Sequence, residues 1–327
     1  MSRIMSGRMI KNENIFISGG CGFIGCKFAE MLADNNKIIL YDINTKKNSY
    51  NYSSISKHKN VTVIEGDITE PEMVRNAIKD ATIIVHTAAI VGVKKVIEQP
   101  RLTLEVNFIG TQNILKSIQN YKKIKRFVYF STSEIFGGYV FRAEEEDNTI
   151  IGTCNDARWS YAISKIAGEH LVQAYNREFG LKTVIIRPFN IFGPGRFGEH
   201  ALKIFIEQAL RGDDITILQD GSQVRSWCYI DDFTQGVYNS IIYEDAIGKS
   251  FNLGNPINTI TIYELAKMIK RLLGSKSKII FIDATYSDID LRIPSITYAK
   301  KVIRFNPCVE LEEGILKTSQ WYKQFVK

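Results

Sequence analysis

Two groups of residues have types and spacings suited to chemistry. An apolar run, Arg126-Phe127-Val128-Tyr129-Phe130, drops into Ser131-Thr132-Ser133-Glu134, placing hydroxyls and a carboxylate where a buried strand would meet a crevice. Further on, Trp159-Ser160-Tyr161-Ala162-Ile163-Ser164-Lys165 sets a Tyr and a Lys one helical turn apart on one face. A phenol is a poor base at neutral pH, because its unperturbed pKa is ~10. A neighbouring ammonium favours the phenolate, and a cofactor cation would favour it further. Such a pair can take a proton from an alcohol while a hydride leaves the same carbon. Tyr121/Lys125 and Tyr263/Lys267 share the spacing, and an exposed helix face accounts for those. Tyr161/Lys165 differs in following a strand end that carries hydroxyls, in a chain that opens with a glycine-rich loop.

The elements that must position these residues read as alternating strands and helices. Asn14–Ser18 is a short apolar strand that stops at Gly19-Gly20-Cys21-Gly22-Phe23-Ile24-Gly25, and a helical pattern follows through Ala33. Gly19, Gly22 and Gly25 let the backbone turn tightly, approach a pyrophosphate and pack a helix on the sheet. A second strand, Lys37–Tyr41, ends at Asp42, whose carboxylate would accept hydrogen bonds from an adenosine ribose and repel a 2′-phosphate. NAD is therefore expected in preference to NADP. Val61–Glu65 leads into Gly66-Asp67-Ile68, and Thr82–His86 into Thr87-Ala88-Ala89. Asp67 is placed for the adenine, small Ala88 and Ala89 leave room for the cofactor, and His86 reads as a packed core residue.

Leu104–Gln119 reads as a helix carrying a polar Asn107, and 137–158 as a long loop whose acidic run, Glu144-Glu145-Glu146-Asp147, is solvated. Leu181–Arg187 is a further strand, ended by Pro188-Phe189-Asn190. Past Gly193-Pro194-Gly195 the alternation becomes irregular. The fold class expected is thus α/β: a Rossmann-type doubly wound parallel sheet over 1–190, and a smaller mixed α/β lobe over 191–327. A strand near 250–253 returns to the first lobe, and helices are expected near Ala201–Leu210, opening at Tyr229-Ile230-Asp231-Asp232, over Tyr263–Leu273 and over Glu310–Phe325.

Composition excludes several other classes. A chain of 327 residues, 45% of them apolar, can bury a full core. It has no apolar run of the ~18 residues needed to span a membrane. Met1–Asn12 is polar and basic without an apolar stretch, so a cytoplasmic location is expected. Five Cys without a C-x-x-C pair indicate reduced thiols, and four scattered His indicate no metal site. The net charge of +7 comes from Lys spread along the chain, which reads as solvated surface suited to a phosphate-bearing small molecule and not as a nucleic-acid interface.

Gly19-x-x-Gly22-x-x-Gly25, Gly66-Asp67, Ala88-Ala89, Asn107, Ser131-Thr132, Tyr161/Lys165, Arg187-Pro188-x-Asn190 and Gly221-x-x-x-Arg225 occur in one order from about Asn14 to Tyr322. As a set they resemble the extended short-chain dehydrogenase/reductase family, the NAD-dependent enzymes that remodel nucleotide-activated sugars. The resemblance implies that Gly19, Gly22, Phe23, Ile24, Asp42, Asp67, Ile68, Ala88 and Ala89 hold NAD, with Tyr161 and Lys165 beside it. Thr132 would hydrogen-bond the oxygen at sugar C4, Tyr161 would take its proton, and Lys165 would tune Tyr161 and hold the nicotinamide ribose. Asn190, Arg225 and Arg292 would bind the diphosphate of a nucleotide sugar, expected to be a UDP-sugar.

Family members start alike, by oxidation to a 4-keto sugar, and Ser133-Glu134 should choose the next step. Thr132-Ser133-Glu134 and Arg158-Trp159-Ser160-Tyr161 resemble UDP-glucuronate decarboxylases, in which a C6 carboxylate beside the new ketone leaves as carbon dioxide. Decarboxylation is therefore placed ahead of 4-epimerisation and 4,6-dehydration. Only Arg196 stands out in the sequence as a cation for such a carboxylate. A homodimer is implied, through a four-helix bundle of Leu104–Gln119, Tyr161–Phe179 and their copies. A non-catalytic NAD-binding regulator is the reading of another class, and an intact Thr132, Tyr161 and Lys165 argue against it.

Overall fold

Short runs of β-branched and aromatic residues such as Ile83–His86 and Arg126–Phe130 are buried along their whole length. Strands buried on both faces belong to a parallel sheet covered by helices on each side. The computed structural model describes residues 9–45, 52–283 and 289–326. The expectation drawn from Met1–Asn12 therefore falls mostly outside the described residues. Seven strands form a parallel sheet in the order Lys249–Leu253, Thr183–Pro188, Arg126–Phe130, Ile83–His86, Asn14–Ser18, Lys37–Asp42, Val61–Glu65. This is the Rossmann-type α/β arrangement. The chain reverses direction across the sheet between Asn14–Ser18 and Ile83–His86, so a crevice opens at their carboxyl ends. The strand Lys249–Leu253 returns to pair with Thr183–Pro188, its Phe251 opposite Ile186.

A second, four-stranded mixed sheet runs Thr259–Thr261, Val224–Ser226, Leu291–Pro294, Tyr139–Ala143. Its last strand corrects the long loop expected over 137–158. Tyr139–Ala143 has exposed Tyr139 and Phe141, and its hydrogen-bonding partner, Leu291–Pro294, comes from the other end of the chain. Local sequence carries no trace of that partner. The acidic run is also corrected in part. Glu144, Glu146 and Asp147 are exposed, but Glu145 is buried, its Oε1 accepting from the Asn252 N–H at 2.9 Å.

Burial pushes the Glu145 carboxyl up to about 7, against the opposing effects of the Asn252 N–H and Arg187. A carboxyl raised on folding contributes stability that is fully present below its unfolded pKa and is lost as pH rises through its folded value. Wild-type stability is thus expected to fall between the ordinary carboxylate range and about pH 7. Glu145→Gln should flatten that slope in urea melts run across this window.

The helix expected over Leu104–Gln119 starts earlier, at Pro100, where the missing N–H costs nothing. It then widens into a π-helical turn, Glu105–Ile109, before Gly110–Ile118. The widened turn carries Asn107 inward, and such turns cluster at functional sites. Asn107 Oδ1 accepts from the Ile90 N–H at 2.7 Å, and its amide donates to the Ile90 carbonyl at 3.2 Å and to Ser164 Oγ at 3.0 Å. One side chain thereby ties the loop after Ala88-Ala89 to the helix that carries Tyr161 and Lys165. His86 is a core residue, bonded through Nδ1 to Ser18 Oγ at 2.6 Å and through Nε2 to Thr111 Oγ1 at 2.9 Å. Burial, helped by Lys165, lowers it to about 3, so it stays neutral and is no base.

Candidate active site

The crevice begins at the glycine loop. Gly19 has a φ of +67°, and a Cβ there would lie 2.7 Å from the Ala88 backbone nitrogen. Only glycine lets the two strand ends approach this closely. Gly22 N-caps the Phe23–Leu32 helix in extended conformation without a side-chain cap, which leaves the first N–H groups of the helix for an anion. Asp42 is buried at the second strand end; its Oδ2 accepts from the Cys21 N–H at 3.2 Å and its Oδ1 from the Asn44 N–H at 3.1 Å. The carboxylate therefore braces the loop as well as standing at the crevice.

Asp67 Oδ1 accepts from the Thr69 N–H at 2.8 Å, and the Asp67 carbonyl accepts from the Tyr41 hydroxyl at 2.9 Å. Ile68 is held from behind: its carbonyl accepts from the Asn113 amide at 3.0 Å, and a Cβ at Gly110 would fall 2.4 Å from its Cδ1. Phe23 is buried, while Ile24, Ala88 and Ala89 are half-buried along the same crevice. A glycine cradle that a Cβ would fill, an uncapped helix start and a carboxylate at the second strand end together fit a dinucleotide.

Next to it lie the residues of the chemistry. The helix Ser160–Phe179 buries Lys165, whose Nζ donates to the Phe130 carbonyl at 2.8 Å and stands 5.9 Å from the Tyr161 ring centre. Burial lowers Lys165 to about 7, and Glu169 one turn further on opposes this. The protein's own groups act on Tyr161 in the direction opposite to that expected. Burial pushes the phenol well above its ordinary value and Glu134 adds to this, while a Thr132 hydrogen bond, Arg196 and Arg292 pull it down. Removing a phenolate from water outweighs the nearby cations, so a further positive charge is needed before Tyr161 can act as a base.

Thr132 N-caps the short turn Ser133–Phe136, its Oγ1 accepting from the Glu134 N–H at 3.2 Å, and Ser133 is buried within that turn. Glu134 lies between two buried guanidiniums: Arg158 Nη1 is 3.3 Å from its Oε2 and Arg292 Nη1 is 3.9 Å from its Oε1. Arg292 also donates to the Gly137 carbonyl at 3.3 Å. Arg292, for which the resemblance implied a diphosphate role, stands beside Glu134 in the cleft that Asn190 and Arg225 also line. The paired strands Leu291–Pro294 and Tyr139–Ala143 carry it there.

Asn190 takes a left-handed φ of 42° and donates to the Ser226 carbonyl at 2.9 Å. Arg225 lies opposite Arg292 in the sheet and donates to the Val224 carbonyl at 3.0 Å. Glu134, Arg158, Asn190, Arg225, Trp227 and Arg292 line one cleft of about 720 Å³. The cleft thus holds the guanidiniums of Arg158, Arg225 and Arg292. Arg158 is adjacent to a chemical motif in the sequence, yet nothing local reveals that its side chain turns back onto Glu134. Among the described residues, no group of three or more His, Cys, Asp or Glu could hold a metal ion, and no helix is long and apolar enough to cross a membrane. The five Cys are free thiols.

Residues 15–254 match the model of the NAD dependent epimerase/dehydratase family. The chain belongs to that family and is an NAD-dependent enzyme of the nucleotide-sugar decarboxylase, epimerase and dehydratase class. It is 32% identical to the UDP-N-acetyl-α-D-glucosaminuronate decarboxylase of Bacillus cytotoxicus, over 95% of this chain and 98% of that protein. It is also 32% identical to UDP-glucuronic acid decarboxylase 5 of Arabidopsis thaliana, over 93% of this chain and 87% of that protein. Among solved structures, the UDP-glucose 4-epimerase of Thermotoga maritima with UDP-glucose is similar, with a TM-score of 0.87 and 26% identity, over 96% of this chain and 100% of that one.

Proposed function

We propose that this enzyme decarboxylates UDP-glucuronate or a related UDP-linked uronate through a transient 4-keto sugar. The observation that carries the reading is the charge at the cleft. Two buried guanidiniums, Arg158 and Arg292, stand with the carboxylate of Glu134 at the cleft. A guanidinium at the cleft can pair with a substrate carboxylate, whereas the neutral hydroxymethyl group of a glucose offers it no charge. The decarboxylase relatives at 32% identity support the same choice.

In this reading Gly19, Gly22, Phe23, Ile24, Asp42, Asp67, Ile68, Ala88 and Ala89 hold NAD, which when bound supplies oxidation and later reduction at sugar C4. Residues 1–190 form the cofactor lobe and 191–327 the sugar-nucleotide lobe, with the strand Lys249–Leu253 returning to the first. Arg225 and Asn190 face the diphosphate. Thr132 holds the C4 oxygen and Tyr161 takes its proton. Lys165, anchored on the Phe130 carbonyl, stands beside the phenol and holds the nicotinamide ribose. With C4 a ketone, the electrons of the bond from C5 to the carboxylate carbon flow into the carbonyl and carbon dioxide departs. A hydrogen bond from the now protonated Tyr161 stabilises the enolate oxygen. Ser133 and Glu134 stand at the far end of the sugar, where C5 takes up a proton in place of the lost carboxylate.

Mass spectrometry after incubation with UDP-glucuronate, UDP-N-acetylglucosaminuronate, UDP-glucose and dTDP-glucose tests the reading. Loss of carbon dioxide from a uronate supports it. Loss of water, or an isomer of unchanged mass, would move the enzyme to the dehydratases or the epimerases. Arg158→Met and Arg292→Met are each expected to lower kcat/KM for the uronate roughly a hundredfold, from a lost charge-assisted bond worth about 1.5–3 kcal/mol. Affinity for UDP itself should change little, as isothermal titration would show.

A homodimer through the helices before and after the active site is also proposed. Leu104, Ile109 and Phe179 are exposed apolar residues on those helices, available to a second copy. A monomer mass by light scattering at micromolar protein would remove this proposal.

A further inference from the structure

We propose that Lys94 is a specificity-determining residue, whose ammonium reaches into the sugar end of the cleft and pairs with the substrate carboxylate, so that a uronate is preferred to the corresponding neutral sugar. The inference rests on the reading that the cleft takes a nucleotide-linked uronate.

Lys94 stands on Val93–Glu98, a short helix that opens at Gly92, a few residues beyond Ala88-Ala89. Gly92 has a φ of +100°, a conformation that favours glycine, and the turn it makes brings the helix to the cleft. Val96 is buried, while Val93, Lys94, Ile97 and Glu98 line the cleft. The last four are two i,i+4 pairs and so form one face, directed at the ligand space. The helix packs against the turn Ala157–Trp159 and the helix Ser160–Phe179. That turn carries Arg158, whose Nη1 is 3.3 Å from Glu134 Oε2. Lys94 thus belongs to the wall beside Glu134 and not to the strand that carries Arg225.

The other cations near this end are committed. Arg158 and Arg292 are buried and shared with Glu134. Arg196, which the sequence singles out for a substrate carboxylate, turns its Nη1 to the Ile191 carbonyl at 3.1 Å and lies 5.6 Å from the centre of the Phe23 ring. Lys94 is exposed, and among the described residues its ammonium makes no hydrogen bond or ion pair. Glu98 follows one turn later, but Lys before Glu is the weaker order for an i,i+4 pair, so a ligand carboxylate can compete for the ammonium. The flexible four-carbon stem carries that charge from solvent to a bound carboxylate. Apolar Val93 and Ile97 beside it exclude water, which strengthens the pair.

The test compares the affinities of NADH-loaded enzyme for UDP-glucuronate and UDP-glucose by isothermal titration, since NADH cannot accept the C4 hydride and leaves both ligands intact. The two share the uridine diphosphate and differ at C6, so the ratio of their affinities isolates the carboxylate. Wild type should prefer UDP-glucuronate. Lys94→Met should weaken UDP-glucuronate roughly tenfold, the low end for a charge-assisted bond, and leave UDP-glucose unchanged. Lys94→Arg should keep most of the preference. Lys95→Met removes an exposed cation outside the cleft and should change neither affinity. An undiminished preference in Lys94→Met overturns the inference and leaves the uronate reading standing. Equal weakening of both ligands puts Lys94 on the diphosphate and overturns it too, as does an equal effect from Lys95→Met. Wild type without a preference for the uronate overturns the reading itself, and the role of Lys94 with it. Lys94→Gln carries the same comparison if Lys94→Met fails to fold.

Discussion

Tyr161→Phe is expected to lower turnover of the nucleotide sugar by roughly a thousandfold, within the range of 10²–10⁴ that a positioned general base contributes. The variant keeps the ring, its packing and the 5.9 Å spacing to Lys165, and deletes only the oxygen proposed to exchange a proton with the C4 hydroxyl. Affinity for NAD and for UDP should therefore stay close to wild type, so the loss falls on kcat. Because burial and Glu134 hold the phenol high against a Thr132 hydrogen bond, Arg196 and Arg292, the wild-type rate should rise with pH along its acid limb. That limb should vanish from the residual activity of the variant. Stopped-flow absorbance of the nicotinamide at a saturating sugar concentration reads the first chemical step directly. A normal amplitude and rate in the variant would exclude Tyr161 as the proton acceptor.

Arg187→Met should be the most destabilising single change outside the chemical residues, by about 3–5 kcal/mol, the cost of removing one partner of a buried ion pair. Arg187 meets Glu169 through two parallel bonds, Nε to Oε1 at 2.9 Å and Nη2 to Oε2 at 2.7 Å, and its Nη1 donates to the Glu145 carbonyl at 2.8 Å. The guanidinium also lies 5.3 Å from the centre of the Phe136 ring. Truncation leaves the Glu169 carboxylate buried without its counter-charge, one turn from Lys165. Urea unfolding should show a lower midpoint at unchanged slope. Arg187→Met combined with Glu169→Leu should regain most of the loss, because no buried charge is then left alone. A double variant as unstable as the single one would place the cost in the Glu145 and Phe136 contacts instead.

The sequence by itself determined the cofactor half. The strands Asn14–Ser18, Val61–Glu65 and Arg126–Phe130 fall where their residues place them, and the glycine loop sits between strand and helix. Those features are local. A β-branched run, a turn that only glycine can make and a Tyr and Lys one turn apart each declare themselves within a few residues. The tertiary structure alone decided the surroundings of Glu134 and of Glu145. Tyr139–Ala143 becomes a strand only because Leu291–Pro294 arrives to pair with it, and the same pairing delivers Arg292 to Glu134. Arg158 turns onto that carboxylate, and Glu145 leaves an acidic loop to meet Asn252. Proton affinities were equally out of reach of the sequence. The Tyr161/Lys165 spacing predicts a phenol made more acidic, yet burial reverses the direction. Desolvation depends on everything packed around a group, and a linear pattern carries no record of what will surround it.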